Sequence, residues 1–146
     1  MTKTKTKIAT DMPAHNRTID QLFRLTDRVA LVTASTRGLG RAMAGGFAAA
    51  GAKPVLASRK PEAVKAAEYE LREHGFDVLG VVAHMGDLDQ VPALVDRTVD
   101  HFGDIDIVVN NAATPLTLRV GQHTPEAWAK SYDVVVDVLT PASPAS

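Results

Sequence analysis

The sequence lacks several features that would point to particular classes of protein. It contains no cysteine, which excludes a disulfide framework, a thiolate zinc site and a cysteine nucleophile. The formal net charge is −1, so charge favours neither nucleic acid nor an acidic membrane surface as a partner. No apolar stretch approaches the roughly 20 residues of a membrane span, and we expect a cytoplasmic location. The five histidines have no metal-ligand spacing, so we predict no metal site.

The chain has 146 residues, of which 45% are hydrophobic, enough for one domain with a core. Its most informative stretch is residues 29–51, where an apolar run at residues 29–32 is followed by a glycine-containing turn and an alanine-rich segment. This pattern predicts a buried strand, a tight turn and a helix that ends at Gly51. Backbone N–H groups and the helix dipole converge at such a turn and can hold a diphosphate. Gly38 and Gly40 leave room for that approach, although a Gly-x-Gly after a strand can also be only a turn.

Apolar runs and helical segments alternate along the rest of the chain. We predict further strands at residues 54–58, 76–83 and 105–109 and intervening helices at residues 61–74 and 89–102. Asp89 is the expected N-cap that places Pro92 at N3, and Thr124 is the expected cap of a last helix. The alternation predicts an α/β fold with a doubly wound parallel sheet and helices on both faces.

The spacing of Thr33, Gly38 and Gly40 resembles the cofactor loop of the short-chain dehydrogenase/reductase family. The motif T-A-S-T-R-G-L-G at residues 33–40 resembles the loop of an NADP-dependent carbonyl-reductase branch of that family. The usual loop has glycine in place of Ala34, and because alanine disfavours positive φ, we expect an altered first corner. The run N-N-A-A after the fourth strand resembles the family's N-N-A-G. The resemblance implies a Rossmann-like, three-layer αβα fold with strand order 3-2-1-4, truncated in this chain.

The end of the second strand favours NADP(H) as the cofactor. In a dinucleotide fold an acidic residue at this point binds the ribose 2′-hydroxyl, but the chain has Ser58 followed by Arg59 and Lys60. Arginine holds a 2′-phosphate in a bidentate manner, whereas a carboxylate would repel it. Arg37 adds a second positive charge on the same side. The alternative is that these cations are solvated surface charges.

The resemblance implies two further contacts with the cofactor. Asn110 is expected to steady the central sheet, and His84 stands where relatives have an aspartate beside the adenine. His84 could stack on the adenine, bond to it, or be a plain surface residue. The full set of predicted cofactor-binding residues is Thr33, Ser35, Thr36, Arg37, Gly38, Leu39, Gly40, Ser58, Arg59, Lys60, His84, Met85, Asn110 and Ala112.

Catalytic residues of the family are missing from the chain. Hydride transfer in the family relies on Y-x-x-x-K, which supplies a proton donor beside the nicotinamide. Glu73 stands four residues after Tyr69, and Val136 stands four after Tyr132. The family's catalytic asparagine aligns with Val135.

We therefore predict the NADP(H)-binding half of an oxidoreductase that acts on carbonyl or alcohol groups, truncated before its catalytic residues and without turnover alone. The first alternative is a non-catalytic nucleotide-binding module that pairs with a full-length relative or a separate catalytic half. The second is a different activity, for which we find no nucleophile–base pair.

Three regions and an exposed edge complete the prediction. Residues 1–24 are expected to be a flexible polar arm, residues 25–139 the NADP-binding half-domain and residues 140–146 a disordered tail. The fourth strand should end the sheet with only Asp106 to discourage pairing. The last helix carries Trp128, Tyr132, Val135 and Val136. We expect marginal stability, with self-association or association with a relative.

Overall fold

A computed structural model describes residues 19–113, 122 and 124–136. The elements in chain order are α1 Ile19–Leu22, β1 Val29–Thr33, α2 Gly38–Ala49, β2 Lys53–Ser58, α3 Pro61–Glu73, β3 Leu79–Val82, α4 Gln90–Phe102, β4 Ile107–Val109 and α5 Pro125–Val136. The strands form one parallel sheet in the order β3-β2-β1-β4. The predicted α/β class, Rossmann-like layering and strand order are confirmed. Most of the predicted arm and all of the predicted tail lie outside the described residues.

The sheet is covered on both faces. One face packs against α2 and α3 in a core of buried residues, with Phe47 and Phe76 at its margin. The opposite face packs against α4, whose Leu94 is buried among side chains of β1, β2 and β3. Every residue of β1 is buried, because a central parallel strand is enclosed by helices on both sides. The apolar run that predicted β1 is therefore explained by its place in the sheet.

Helices α2 and α3 end in the same type of glycine turn. Gly51 has φ +94° and Gly75 has φ +82°, the left-handed conformation that glycine adopts without a Cβ penalty. After α3, the Gly75 N–H donates to the Arg72 carbonyl and the Phe76 N–H donates to the Leu71 carbonyl. This pair of hydrogen bonds is a Schellman motif. It uses the Phe76 N–H, and β3 begins only at Leu79 rather than at residue 76 as predicted.

The helix starts follow the predicted caps in part. Asp89 is the N-cap of α4 and Pro92 lies at N3, but the Asp89 side chain makes no capping bond. The carboxylate of Asp87, two residues before the N-cap, makes the local hydrogen bonds instead. It accepts from the Asp89 N–H and from Gln90 Nε2. Thr124 caps α5 as predicted, with its Oγ1 accepting from the Ala127 N–H at 3.2 Å.

The two end strands of the sheet are treated differently. Beside β3, Glu68 Oε1 accepts from the Gly80 N–H at 3.0 Å, and Arg72 donates to the Val78 carbonyl at 3.1 Å. Glu68 and Arg72 also form an ion pair at 2.8 Å. Side chains of α3 therefore occupy backbone groups of β3 that would otherwise be open to another strand.

At the other end, the expected role of Asp106 is wrong. Its carboxylate accepts from the Val29 N–H at 2.9 Å and pairs with Arg28, so it is turned toward β1. The Asp106 N–H also donates to the Val29 carbonyl. Strand β4 begins at the next residue, Ile107, and not at residue 105 as predicted. Val108 in the middle of β4 is 54% exposed. Asp106 therefore anchors the start of β4 and does not guard its outer edge.

The Asp106 anchor makes a pH-dependent contribution to stability. The hydrogen bond from the Val29 N–H, and then the bond from Arg28, hold the pKa of this carboxyl below its usual value of 3.8. A lowered folded-state pKa adds stability that is complete above the unfolded pKa and disappears as the pH falls through the folded pKa. We expect Asp106→Asn to lower the free energy of unfolding at pH 7 by about 1 kcal/mol, a value reduced by solvent exposure. Urea unfolding should show this deficit at pH 7 and a progressively smaller one as the pH falls below 3.8, and a deficit that stayed constant as the pH fell would contradict the assignment.

Candidate functional site

The carboxyl ends of the four strands open into one cleft. The loops that follow the parallel strands meet there, as expected at the switch point of a doubly wound sheet. The cleft has a volume of about 170 Å³. Its lining residues are Ala34, Thr36, Arg37, Ala57, Ser58, Arg59, Ala83, His84, Met85, Gly86, Ala112 and Ala113.

Half of the predicted cofactor residues line this cleft. They are Thr36, Arg37, Ser58, Arg59, His84, Met85 and Ala112. The other half do not line it and lie beneath or beside it. They are Thr33, Ser35, Gly38, Leu39, Gly40, Lys60 and Asn110. The predicted residues thus lie on the loops that surround this cleft, and they are divided between its wall and its support.

Thr33 supports the cleft from below. Its side chain is buried, and Oγ1 accepts from the N–H groups of Asn111 and Ala112, each at 2.9 Å. The same hydroxyl donates to the Val109 carbonyl at 3.3 Å. Thr33 therefore joins the end of β1 to the turn after β4, which places Ala112 in the cleft wall.

Ser35 makes the corresponding connection to β2. Its fully buried Oγ donates to the Val32 carbonyl at 2.7 Å and accepts from the Ala57 N–H at 3.1 Å. The Ser35 N–H also donates to the Ala57 carbonyl. These bonds continue the ladder beyond the end of β1 and hold the glycine loop against β2.

The predicted role of Asn110 in steadying the sheet belongs to its neighbour. Asn110 is exposed, whereas Asn111 Nδ2 donates to the Thr33 carbonyl at 3.0 Å and to the Ala34 carbonyl at 3.3 Å. Asn111 is therefore the residue that ties the turn after β4 to the glycine loop. The pair N-N gave no basis for choosing the second asparagine, because strand alternation depends on where β4 ends.

The first corner of the loop keeps a left-handed conformation despite its alanine. Ala34 has φ +51°, so the expectation that alanine would alter this corner is wrong. Hydrogen bonds on both sides of the residue hold it there. Asn111 Nδ2 donates to the Ala34 carbonyl, and the Ala57 N–H of β2 donates to Ser35 Oγ. An L-residue in this region is strained by about 1–2 kcal/mol.

Replacing this alanine should relieve the strain. We expect Ala34→Gly to raise the free energy of unfolding by about 0.5–1 kcal/mol, because the relief exceeds the entropy that glycine adds to the unfolded chain. Urea unfolding of the two proteins measures the difference. A loss of stability would show that Ala34 sits comfortably in its corner.

Gly38 and Gly40 serve two different needs. Gly38 has φ +55°, and a Cβ there would meet nothing within 4 Å, so only the backbone conformation favours glycine at this position. A Cβ at Gly40 would lie 2.5 Å from Asn111 Nδ2 and 2.6 Å from the Ala34 carbonyl oxygen. Gly40 therefore allows α2 to approach the loop and Asn111, which is a packing role rather than the open access expected from the sequence.

The start of α2 and the charges of the cleft favour an anion. The N–H groups in the first turn of a helix have no intrahelical partner and carry the positive end of the dipole. Arg37 and Arg59 both line the cleft, and none of the lining residues named above is acidic. Thr36 Oγ1 donates to Ser58 Oγ at 3.3 Å between them. Lys60 is exposed at the N-cap of α3 and does not reach the cleft wall.

His84 closes the cleft on the β3 side in a fixed orientation. Its Nδ1 accepts from the Gly86 N–H at 2.9 Å. The backbone N–H of His84 donates to Gln90 Oε1 at 2.9 Å, and its backbone carbonyl accepts from the Asp87 N–H. These three bonds form a compact turn, and Met85 inside it is buried.

The family model described as short chain dehydrogenase matches residues 28–139. The chain belongs to the short chain dehydrogenase family. It is 42% identical over 113 residues to human dehydrogenase/reductase SDR family member 4, covering 77% of this chain and 41% of that protein. It is 46% identical over 90 residues to tropinone reductase-like 3 of Erythroxylum coca, covering 62% of this chain and 35% of that protein.

A solved structure has a similar fold. The crystal structure of L-sorbose reductase from Gluconobacter frateurii, complexed with NADPH and L-sorbose, matches with a TM-score of 0.74 and 32% identity. The match covers 80% of this chain and 45% of that chain. The chain thus spans less than half the length of the relatives and structures it matches.

The one tyrosine side chain that the structure describes lies away from the cleft wall. Tyr69 is 65% exposed on α3 and is not a lining residue. Tyr132 and Val135 lie on α5, and their side chains fall outside the described residues. Within residues 19–113 and 124–136 no group of three or more acidic or histidine side chains is arranged to hold a metal ion. None of the described helices is long and apolar enough to cross a membrane.

Proposed function

We propose that this chain is the NADP(H)-binding half of a short chain reductase acting on carbonyl or alcohol groups, without turnover on its own. The observation that carries the proposal is the acid-free cleft at the end of β2, where Ser58 replaces the acidic residue and Arg37 and Arg59 stand on the wall. The NADPH in the sorbose reductase complex supports the same cofactor for this chain.

The chain's residues fit the parts of this cofactor. Arg59 and Arg37 would hold the 2′-phosphate, since guanidinium groups form charge-assisted, bidentate bonds to phosphate. The first turn of α2 would hold the diphosphate through its N–H groups. Thr33, Ser35 and Asn111 keep the loop in place from below. When bound, the cofactor supplies the hydride, and these residues bind and orient it.

Turnover requires a proton donor beside the nicotinamide, and this is the part the chain does not offer. Tyr69 lacks a lysine four residues later and lies off the cleft wall. Tyr132 also lacks that lysine, and Val135 aligns with the catalytic asparagine. The purified chain should show no NADPH-dependent reduction of a panel of ketones and aldehydes above background. Turnover that survives removal of host enzymes would contradict this proposal.

The second candidate function is a nucleotide-binding module that pairs with a full-length relative or a separate catalytic half. It is favoured by the contrast between β3, whose edge groups are bonded by Glu68 and Arg72, and β4, where Asp106 is turned inward and Val108 is exposed. An apolar strand at a sheet edge is a template for pairing with another chain.

This contrast predicts association of the isolated chain. We expect size-exclusion chromatography with light scattering to show dimers or larger species, and thermal unfolding to show a midpoint within or below the mesophile range of about 45–65 °C. Val108→Lys places a charge in the middle of β4 and should shift the population toward monomer. A clean monomer of the unmodified chain that unfolds sharply above about 65 °C would contradict the prediction.

The regional boundaries and the location of the protein are also part of the proposal. We assign residues 25–139 to the cofactor-binding half-domain, with residues 1–24 as an arm and residues 140–146 as a tail. The family match over residues 28–139 supports the first boundary pair. We also propose a cytoplasmic location, because reduced nicotinamide cofactors are available there.

A further inference from the structure

The order of the strands fixes which wall of the cleft faces which part of the cofactor. In the proposed function, the diphosphate lies at the loop after β1 and the 2′-phosphate lies at Arg59 after β2. Since β3 follows β2 in the sheet, the base beyond the ribose meets the wall formed by residues 83–86. His84 is the polar side chain of that wall.

The hydrogen bonds of His84 determine what its ring can offer. A backbone N–H is only a donor, so Nδ1, which accepts from the Gly86 N–H at 2.9 Å, is the unprotonated nitrogen of the neutral ring. The proton of the neutral imidazole is then on Nε2. In the part of the chain that the structure describes, Nε2 has no hydrogen-bond partner. The His84 ring therefore presents one N–H donor, Nε2–H.

A donor at this position recognises a different feature of a purine than an acceptor does. The exocyclic amino group of adenine is itself a donor and cannot pair with an Nε2–H. Ring nitrogens such as N7 and N3 are acceptors, and so is an oxygen at C6. A site that bonds a group through a matched partner rejects ligands that lack it, whereas a site without that partner does not.

We propose that His84 binds the base of the cofactor through Nε2–H to an acceptor atom, so that the site does not select for the 6-amino group. The ligand class is a purine dinucleotide carrying a 2′-phosphate, with either an amino group or an oxygen at C6. This inference rests on the proposed function, because it takes the cleft to be the cofactor site. It adds a specificity that the choice of NADP(H) does not contain.

The test compares NADPH with its hypoxanthine analogue, in which oxygen replaces the 6-amino group. Titrations of the full chain, followed by nicotinamide fluorescence, should give dissociation constants within about threefold of each other, or tighter binding of the analogue. His84→Asp introduces an acceptor and should shift the ratio toward NADPH by about tenfold. His84→Phe removes the donor without adding an acceptor, so it should weaken both ligands while leaving their ratio near that of the unmodified chain.

A second measurement does not depend on ligand binding. Long-range ¹H–¹⁵N correlation spectra of the chain should show His84 as the Nε2–H tautomer, and an Nδ1–H tautomer would overturn the inference. NADPH binding with more than about threefold preference over the analogue would overturn it as well, while leaving the proposed function intact. Failure of both dinucleotides to bind would overturn the proposed function and this inference together.

Discussion

Gly40→Ala should abolish cofactor binding and destabilise the fold by about 2–3 kcal/mol, the upper part of the range for overpacked sites. The added Cβ would lie within 2.6 Å of Asn111 Nδ2 and of the Ala34 carbonyl oxygen, and 3.0 Å from the Ser35 Cα. Two of these three atoms belong to backbone, which cannot move aside without breaking the bonds that Ser35 Oγ donates to the Val32 carbonyl and accepts from the Ala57 N–H. Either the loop shifts or α2 moves away, and both changes displace the first-turn N–H groups.

The matched control is Gly46→Ala in the same helix. A Cβ at Gly46 would meet nothing within 4 Å, and the residue is exposed. The same chemical change should therefore stabilise the chain by about 0.5–1 kcal/mol, because alanine is the better helix former. Urea unfolding and NADPH titration of both variants give the comparison. If Gly40→Ala retained full affinity, the close approach of α2 to Asn111 would not be needed for binding.

Arg59→Asp is expected to reduce the affinity for NADPH by about 10–100-fold and to change the affinity for NADH by less than about threefold. The substitution removes a charge-assisted bond to the 2′-phosphate and adds a repulsive carboxylate at the end of β2. NADH has no phosphate at that position and is largely unaffected. Separate fluorescence titrations with each cofactor measure the two changes.

Lys60→Asp provides the control for this charge reversal. It makes the same change in net charge one residue away, but Lys60 is an exposed N-cap residue outside the cleft wall. An aspartate there is also a favourable N-cap for α3. We expect its NADPH affinity to stay within about threefold of the unmodified chain. Equal losses in the two variants would indicate long-range attraction rather than a phosphate contact at Arg59.

The fold was predictable because its signals are local and repeated. Each signal determines structure within a few residues of itself. Examples are the buried run of β1, Gly51 and Gly75 after α2 and α3, and Thr124 before α5. The pattern βαβαβαβα then allows few topologies, since parallel strands require right-handed crossovers. Strand ends were less predictable. The Phe76 N–H is taken by the turn after α3, where it donates to the Leu71 carbonyl, and Asp106 already bonds to Val29 of β1 one residue before β4 begins.

The cleft was predictable only as a set of loops. Arg37 and Arg59 lie where the charge pattern placed them, but Thr33 and Ser35 proved to be buried supports. Asn111 was missed because its role depends on a contact with Ala34, 77 residues away. The conformation of Ala34 was missed for the same reason, since bonds from distant residues hold it against its own preference.

The cleft of this member of the short chain dehydrogenase family is proposed to hold a cofactor with a 2′-phosphate. The most direct measurement is a pair of fluorescence titrations of the unmodified chain with NADPH and NADH under identical salt conditions. Charge-assisted contacts from Arg37 and Arg59 are worth about 1.5–3 kcal/mol each, so NADPH should bind more than about tenfold tighter. Equal affinities, or tighter binding of NADH, would contradict the account.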